Sequence, residues 1–396
     1  MIIKTNRIYI FGIALILILT FLSPAVIQFF AGVSNTLYTV IVLSVIFSFI
    51  FLHTAITRKI LYNKVLLTSI IFLFVILISG LINNTAILKT ILYSFFALTP
   101  FSVTYFFNIF LSKSIKIQNI TSNILKIIVL IQLPIVLIQK YGYEFLIKFN
   151  NSSQNISEVD FMFGSFSIKA DHALGFFLVT YLLKIIFKLR SGELNKIPWF
   201  IVIYISITII IIESNLTKII VLLFFSYYIT LWVYKKIKLG GVVVCALVFY
   251  SLFNIIAQHS KTISNEIYHY KYLMTSLESL KAVENGYAKR PQILIHQFNN
   301  APLKLFGNGP YDYYNILIGE FKNTIHFSQL IWTINDLGII GLVVIVLLAF
   351  FLVKSLNLDK ETNLILFLIV ILYLLMTNMY YDISMMISLS FLNRKL

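Results

Sequence analysis

The chain of 396 residues is apolar and basic: 59 % of its residues are hydrophobic, the mean hydropathy is +0.92 and the formal net charge is +16. Soluble domains contain about 45–50 % apolar residues, so this composition excludes an ordinary soluble protein. The single cysteine, Cys245, excludes an intramolecular disulfide and a cysteine-rich metal site. In so apolar a chain the basic excess indicates orientation in a membrane, and we expect no nucleic-acid partner.

Runs of apolar residues recur along the chain and predict transmembrane helices, about eleven to twelve in number. In chain order they fall near 8–30, 36–52, 64–82, 88–111, 120–139, 171–188, 198–212, 216–234, 239–257, 327–353, 362–380 and 381–392. The last run is short enough to be a half-span or the end of the preceding helix. The predicted fold is therefore an all-α, polytopic transmembrane helical bundle.

Two long polar segments interrupt the spans, a smaller one at 141–170 and a larger one at 258–325. Because unpaired backbone groups are costly in hydrocarbon, the larger segment must lie outside the bilayer. Apolar residues at three- and four-residue steps predict a helix over 262–285, and a second begins near Arg290-Pro291. The predicted domains are helices one to nine with the smaller loop (1–257), the large helical extracytoplasmic loop (258–325) and the C-terminal helices (326–396).

The basic residues of the termini and short loops lie mostly on one side of the predicted bundle. They are Lys4, Arg7, Arg58, Lys59, Lys64, Lys113, Lys116, Lys184, Lys188, Arg190, Lys196, Lys235, Lys236, Lys238, Lys354, Lys360, Arg394 and Lys395. The short loops 31–35, 83–86 and 213–215 carry almost none, with Lys89 as an exception. Cytoplasmic loops carry such an excess. We therefore predict a multi-pass protein of the bacterial inner membrane with both termini in the cytoplasm and 258–325 outside.

Four motifs occur in order between 160 and 345. They are Gly164 to Gly175 before a mid-chain span, Thr217-Lys218 at the mouth of the eighth, Arg290 through the turn-rich Pro302–Pro310, and His326 through Asp336-Leu337-Gly338-Ile339-Ile340-Gly341-Leu342. Together they resemble the bacterial O-antigen polymerase and O-antigen ligase superfamily. Phe327 separates His326 from Ser328, whereas the ligase branch has a small polar residue directly after its histidine. Gly307 and Gly309 predict a tight turn.

The resemblance implies a membrane glycosyltransferase that polymerises lipid-linked repeat units into O-antigen, capsule or exopolysaccharide outside the membrane. Its donor and acceptor would be undecaprenyl-diphosphate-linked glycans, its other partners membrane lipids and a chain-length regulator protein, and it would need no cofactor. One alternative is an O-antigen ligase that transfers the glycan to the lipid A core. A second is a lipid-linked oligosaccharide flippase, which the scarcity of charge within the spans disfavours.

In this reaction Arg290 would hold the donor diphosphate and His326 would accept the proton of the attacking hydroxyl. The diphosphate or sugar would be bound by Lys218, His172, Lys169 and Tyr311. Plainer alternatives are a loop salt bridge for Arg290, snorkelling for Lys218, an interfacial position for His326, a helix cap made by Asp171 beside His172, and an aromatic belt for Tyr311. The outer segments lack a well-spaced carboxylate cluster, so we predict that catalysis needs no metal.

Overall fold

A computed structural model describes residues 2–58, 62–112, 114–212, 214–223, 225–227, 230, 243, 250–251, 303–312, 314–315, 320–321 and 328–393. The chain divides into two compact units. The first comprises Met1–Lys218, Leu303–Lys322 and His326–Leu396, and the second comprises Ile219–Pro302 and Asn323–Ile325. The few described residues of the second unit are helical.

The described residues form helices almost throughout. The α-helices are α1 (Ile2–Phe21), α2 (Pro24–Ala31), α3 (Asn35–Thr57), α4 (Lys64–Ile82), α5 (Ile87–Ala97), α6 (Thr99–Leu111), α7 (Ile115–Tyr141), α8 (Tyr143–Leu146), α9 (Asp171–Arg190), α10 (Trp199–Ile211), α11 (Asn215–Tyr227), α12 (Gln329–Lys354), α13 (Lys360–Met376) and α14 (Ile383–Ser390). Single 3₁₀ turns lie at Ile147–Phe149, Val159–Phe161 and Met379–Tyr381. Strand β1 (Tyr314–Asn315) pairs antiparallel with β2 (Glu320–Phe321), with Tyr314 opposite Phe321.

Among the described residues, six segments are long and apolar enough to cross a membrane, or seven if the bent pair α1–α2 is one span. They are Asn35–Thr57, Lys64–Ile82, Ile87–Leu111, Ile115–Tyr141, Asp171–Arg190 and Gln329–Lys354. The prediction of a helical, multi-pass membrane protein is therefore confirmed. The larger number of spans stays a prediction, because most of the run at 239–257 and part of the run at 216–234 lie outside the described residues. The same holds for most of the large loop at 258–325.

Two of the predicted spans are broken where a proline enters the apolar run. Between α1 and α2 the chain bends by 50°, and Pro24 begins α2. Similarly, α5 ends at Ala97 and α6 starts again with Pro100 in its first turn. Proline has no backbone N–H and suits the first turn of a helix. In both cases the new helix therefore begins with the proline in its first turn. The half-span predicted at 381–392 is the short helix α14, whose eight residues are all buried.

The first unit has two ends of different character. We call one the loop-rich end, formed by the connections 22–34, 83–86, 142–170, 303–312 and 377–382. The other is the basic end, formed by Arg58, 62–63, Ser112, Ser114, 191–198 and 355–359. At the loop-rich end Asn151 Nδ2 donates to the Phe30 carbonyl at 2.6 Å. At the basic end Arg190 Nη2 contacts Glu361 Oε1 at 3.1 Å, which ties the end of α9 to the start of α13.

In three of the four turns at the basic end a side chain caps the helix that follows, whereas α10, after 191–198, has no such cap. The side chains of Asn63 and Ser114 accept the amide hydrogens of Leu66 and Ile117, at 2.7 and 3.3 Å. Asp359 likewise accepts from Thr362 N at 3.1 Å. Each cap satisfies a backbone donor that a helix start leaves without an intrahelical partner. These connections can therefore be short, because one polar side chain satisfies a backbone donor at the start of the next helix.

Candidate functional site

A loop at the loop-rich end, Leu303–Asp312, packs into a break in α12. The break is at Gly338, whose φ of 69° interrupts the helical backbone. There Ile339 N donates to the Lys304 carbonyl at 3.0 Å and Ile340 N to the Leu305 carbonyl at 3.2 Å. A Cβ atom on Gly338 would overlap both carbonyl oxygens. Two of the four motifs in the sequence are therefore in direct contact, and glycine is what lets the backbones approach.

The turn predicted at Gly307 and Gly309 is confirmed, since both residues have positive φ, 66° and 102°. Asn308 N donates to the Asn335 carbonyl at 2.8 Å, and Gly309 N donates to the Asp336 carbonyl at 3.0 Å. From α4, Ser79 Oγ lies 2.8 Å from that same Asp336 carbonyl. The same hydroxyl lies 2.6 Å from the Phe306 carbonyl, so the loop is fixed to α12 by backbone groups and to α4 by the Ser79 side chain.

Asp336 holds the end of this loop from inside the bundle. It is fully buried, and its Oδ2 accepts from the Tyr311 amide at 3.0 Å and from Trp332 Nε1 at 2.5 Å. Its Oδ1 accepts from Asn335 Nδ2 at 3.0 Å. Buried polar groups need such partners, because an unpaired one costs about 1–3 kcal/mol. Asp336 therefore fixes the backbone of Tyr311 relative to α12.

Tyr311 lies on the wall of a cavity. Its ring centroid is 5.1 Å from that of Tyr93 and 5.5 Å from that of Trp332. Its carbonyl accepts from Lys89 Nζ at 2.8 Å. The backbone has a φ of 55°, which is uncommon for a residue with a side chain. Contacts on both sides of the residue hold it in this conformation.

The cavity has a volume of about 420 Å³ and lies at the loop-rich end. Its aromatic lining residues are Tyr38, Phe96, Tyr311, Trp332 and Tyr381. Its polar lining residues are Thr20, Asn35, Thr36, Thr39, Ser167, Asn378, Asp382 and Ser384. Aromatic rings offer flat apolar faces, while hydroxyl, amide and carboxylate groups offer hydrogen bonds of both kinds. A sugar presents the complementary surface, with C–H faces and a rim of hydroxyl groups.

Asp382 is the carboxylate on the cavity wall. Its Oδ1 caps α14 by accepting from Ser384 N at 2.8 Å and from Met385 N at 3.2 Å. Thr20 also lines the cavity, and its buried Oγ1 has no hydrogen-bond partner among the described residues. A buried hydroxyl without a partner is costly. The cavity thus offers a bound polar molecule an unsatisfied hydroxyl and a carboxylate.

Three buried glutamines hold the smaller loop against the helices of this end. Gln139 bonds Gly164 through both its amide atoms, each at 2.8 Å. Gln132 accepts from Ser165 N at 3.1 Å and donates to Ser165 Oγ at 2.8 Å. Gln28 accepts from Ile168 N at 3.0 Å and donates to the hydroxyl of Ser167, a cavity residue, at 3.3 Å. The loop therefore has a defined position over the bundle.

His172 is the first member of a hydrogen-bonded series that continues through three hydroxyl groups and links α9 to α11 and α13. Its Nδ1 is 2.7 Å from Ser214 Oγ, which is 2.7 Å from Thr217 Oγ1. Thr217 Oγ1 is in turn 2.9 Å from the Tyr373 hydroxyl. Gly175 of α9 packs so closely on Thr217 that a Cβ atom there would overlap its side chain. The other two sequence motifs are therefore also in contact.

The alternative in which Asp171 caps α9 is wrong. The helix begins at Asp171 itself, Ala170 occupies the cap position, and no side chain caps it. The carboxylate instead lies 3.6 Å from His172 Nδ1. This arrangement orients the imidazole ring between an acidic group and Ser214.

The remaining predicted site residues differ in where they lie. Lys218 follows Thr217 in α11 and is half-buried, whereas Lys169 is exposed in the loop before α9, with a φ of 60°. Arg290 and His326 lie outside the described residues, so their roles stay predictions. The structure brings His172 next to the Thr217-Lys218 motif and puts Tyr311 on the cavity wall.

Sequence reasoning missed several cavity residues, notably Tyr38, Asn378 and Asp382. Tyr38 is one tyrosine in an apolar run and carries no signal of its own. Asn378 and Asp382 did carry one, since they are polar residues within a stretch that was assigned to two adjoining spans. Polar residues within spans commonly mark functional positions.

Among the residues that the structure describes, no group of three or more His, Cys, Asp or Glu side chains could hold a metal ion. The expectation that catalysis needs no metal remains a prediction. In comparisons with known proteins, no family model matches the chain and no curated protein matches it significantly.

Proposed function

We propose that the protein is a membrane glycosyltransferase that polymerises polyprenyl-diphosphate-linked repeat units into O-antigen, capsule or exopolysaccharide. The observation that carries this proposal is the cavity of about 420 Å³ at the loop-rich end. Its mixture of aromatic and hydrogen-bonding groups suits a sugar, and its position at the helix ends suits a substrate anchored in lipid. The order of the four motifs supports the same family of reactions.

In the proposed reaction, a hydroxyl of the incoming repeat unit attacks the anomeric carbon of the lipid-linked glycan. The new glycosidic C–O bond forms as the bond to the diphosphate breaks, and polyprenyl diphosphate leaves with the bonding electrons. A base takes the proton of the attacking hydroxyl, and cations stabilise the leaving diphosphate. His326 and Arg290 are the proposed base and diphosphate ligand. The cavity would hold the sugars, with Asp382 accepting from their hydroxyl groups.

His172 and Lys218 form the second set of candidate residues. Since Ser214 and Asp171 both lie near His172 Nδ1, they orient the ring and influence which nitrogen carries the proton. The packing of Gly175 on Thr217 fixes the start of α11, from which Lys218 extends. Lys218 would attract the diphosphate as a point charge, because an ammonium lacks the fork of arginine.

The experiment that tests the function is deletion of the gene followed by electrophoresis of the glycans. Bands of a single repeat unit identify a polymerase. Loss of lipid A-linked glycan with intact lipid-linked polymer would instead identify a ligase. An unchanged glycan ladder would contradict both assignments.

Complementation with variants then assigns the residues. Arg290→Ala should abolish long chains at normal protein levels, and Arg290→Lys should restore them only in part. His326→Ala should act likewise, since loss of a general base costs about 10²–10⁴ in rate. We expect His172→Ala to be milder. Wild-type chain lengths with His326→Ala, together with an inactive His172→Ala, would make His172 the base.

The orientation is tested by labelling a cysteine at position 300 with a reagent that cannot cross the membrane. The native cysteine is first removed as Cys245→Ser, and Asn300→Cys then supplies the only thiol. Labelling of intact cells, or of spheroplasts if an outer membrane is present, is expected. Labelling only after lysis would place 258–325 in the cytoplasm and contradict the proposed site of reaction.

A further inference from the structure

A second cavity, of about 510 Å³, lies at the basic end of the bundle. It is enclosed by the start of α7, the end of α9, the turn before α13 and the residues after α14. Its lining residues are Gln118, Asn119, Ser122, Lys184, Phe187, Lys188, Arg190, Ser191, Glu193, Leu358, Asp359, Leu392 and Asn393. Unlike the first cavity it contains three cationic side chains and only one aromatic ring.

Two of the cations, Lys184 and Lys188, have no carboxylate within salt-bridge distance in the described part of the chain. They are four residues apart on α9, which places them on one face of the helix. Lys184 Nζ donates to the Phe391 carbonyl at 2.9 Å and lies 5.7 Å from the centroid of the Phe391 ring. These contacts orient the ammonium without a salt bridge among the described residues.

Two carboxylates, Glu193 and Asp359, also line the cavity, and each accepts a hydrogen bond from a neighbouring group. Glu361 pairs with Arg190 at 3.1 Å, and Glu193 accepts from Ser191 Oγ at 3.0 Å. Asp359 caps α13 by accepting from Thr362 N at 3.1 Å. Two neighbouring ammonium groups on one face repel each other, and a bound anion would relieve that repulsion. The three cations of the lining thus outnumber its two carboxylates by one, and Gln118 and Asn119 add amide groups.

We infer that the basic-end cavity binds a phosphate group. Phosphate oxygens accept charge-assisted hydrogen bonds from lysine, and amide groups complete such a shell. The source is either the headgroup of an anionic phospholipid or a soluble phosphate. Basic pockets between transmembrane helices are a recognised place for anionic lipid headgroups. The volume exceeds that of one phosphate and leaves room for a headgroup.

The test measures binding to full-length protein in detergent with two probes. Native mass spectrometry counts bound phosphatidylglycerol against a diacylglycerol that lacks phosphate, and the shift in thermal unfolding reports inorganic phosphate. Lys188→Gln should weaken binding of the active probe by about tenfold or more, the effect of losing a charged hydrogen bond. Lys184→Gln should do the same. If Lys184→Gln fails to fold because it lacks the contact with Phe391, the result for Lys188→Gln decides whether the site binds phosphate.

The matched control is Lys360→Gln, which removes a charge at the same end but outside the cavity. Retention of binding by Lys360→Gln and loss by Lys188→Gln supports the site, and the probe that responds identifies the source of phosphate. Equal loss in both variants would show general charge attraction and overturn the inference. So would unchanged binding of both probes to Lys184→Gln and Lys188→Gln.

Discussion

The loop-rich end and the basic end use the same helices for different chemistry. At the loop-rich end, long connections are fixed by glycine packing and by glutamine side chains within the bundle, and the cavity there has aromatic and hydroxyl walls. At the basic end, three of the four turns are closed by capping side chains, and the cavity is lined by two lysines that form no salt bridge among the described residues. The one surface suits the uncharged rings of a sugar and the other suits an anion.

This difference shows where the fold depends on exact sequence. A capped turn requires one polar side chain and tolerates many neighbours, whereas a loop packed into a helix break requires glycine at fixed positions. A glycine, a helix-capping aspartate and a tryptophan at the loop-rich end each have a counterpart of the same residue type at the basic end. Substituting both members of a pair tests whether the two ends differ as the structure indicates.

The largest effect is expected for glycine. Gly338→Ala should destabilise the protein by about 2–6 kcal/mol and abolish glycan polymerisation, because strain at positive φ adds to overlap with two carbonyl oxygens. Gly192 at the basic end also has positive φ, 77°, but no atom lies within 4 Å of the place that a Cβ atom would take. Gly192→Ala should cost only about 1–2 kcal/mol. Unfolding in detergent and glycan electrophoresis measure both. Equal losses would mean that strain alone matters at Gly338.

The next effect concerns the two aspartates that cap helices. Asn caps a helix about as well as Asp, so Asp382→Asn should keep α14 intact while removing the charge from the cavity. Polymerisation should fall about tenfold or more, as for loss of a charged hydrogen bond to a sugar hydroxyl. Asp359→Asn, at the other end, should polymerise like the wild type. The assay is incorporation of labelled repeat units by membranes. Full activity of Asp382→Asn would remove that carboxylate from the proposed sugar site.

A smaller effect is expected for tryptophan. Trp332→Phe removes the Nε1 donor to buried Asp336 and should cost about 1–3 kcal/mol of unfolding free energy. Trp199 begins α10 at the basic end and is 63 % exposed, so Trp199→Phe should change stability by less than about 0.5 kcal/mol. Chemical unfolding in detergent compares the two. A stable Trp332→Phe protein would show that the amide of Tyr311 and Asn335 satisfy the carboxylate without the indole.

The smallest effect concerns pH. Desolvation raises the pKa of the Asp359 carboxyl, but hydrogen bonding from Thr362 and the positive charge of Arg190 outweigh it and hold the pKa below its usual value. A lowered native pKa means that the ionised cap stabilises the protein above the unfolded pKa of about 4 and ceases to do so as pH falls through the native value. Asp359→Ala should cost about 1 kcal/mol at pH 7 and nothing at very low pH. A difference that persisted undiminished in acid would contradict this origin.

The helical bundle could be predicted from the sequence, because apolar runs of sufficient length have no other stable form in a membrane. The breaks at Pro24 and Pro100 could not be placed in the same way, since the apolar composition continues on both sides of each proline. The apolar composition of a segment indicates that it lies in the bilayer. Whether the segment bends depends on the contacts of the adjoining helix. Gln28 packs against the smaller loop only because α2 turns across the end of the bundle.

The candidate site was predictable where one short segment determines the structure. The turn at Gly307 and Gly309 is such a case, since positive φ is a local requirement. The contact of Gly338 with Lys304 is not, because it joins segments more than thirty residues apart along the sequence. The cavity wall combines Tyr38 of α3 with Asp382 before α14. The sequence around either residue does not predict that the two lie close together. Such surfaces follow from packing and become visible only in three dimensions.

The break at Gly338 also bears on how the protein enters the membrane. A helix normally satisfies its own backbone as it leaves the insertion machinery, but the amides of Ile339 and Ile340 rely on carbonyls of Lys304 and Leu305. Those carbonyls precede α12 in the chain and are therefore synthesised first. Residues 303–309 can thus already be present outside the insertion machinery when α12 inserts. The two amides can then pair with them and need not remain unpaired in lipid. Moving that loop to the C-terminal side of α12 would reverse the order and delay insertion.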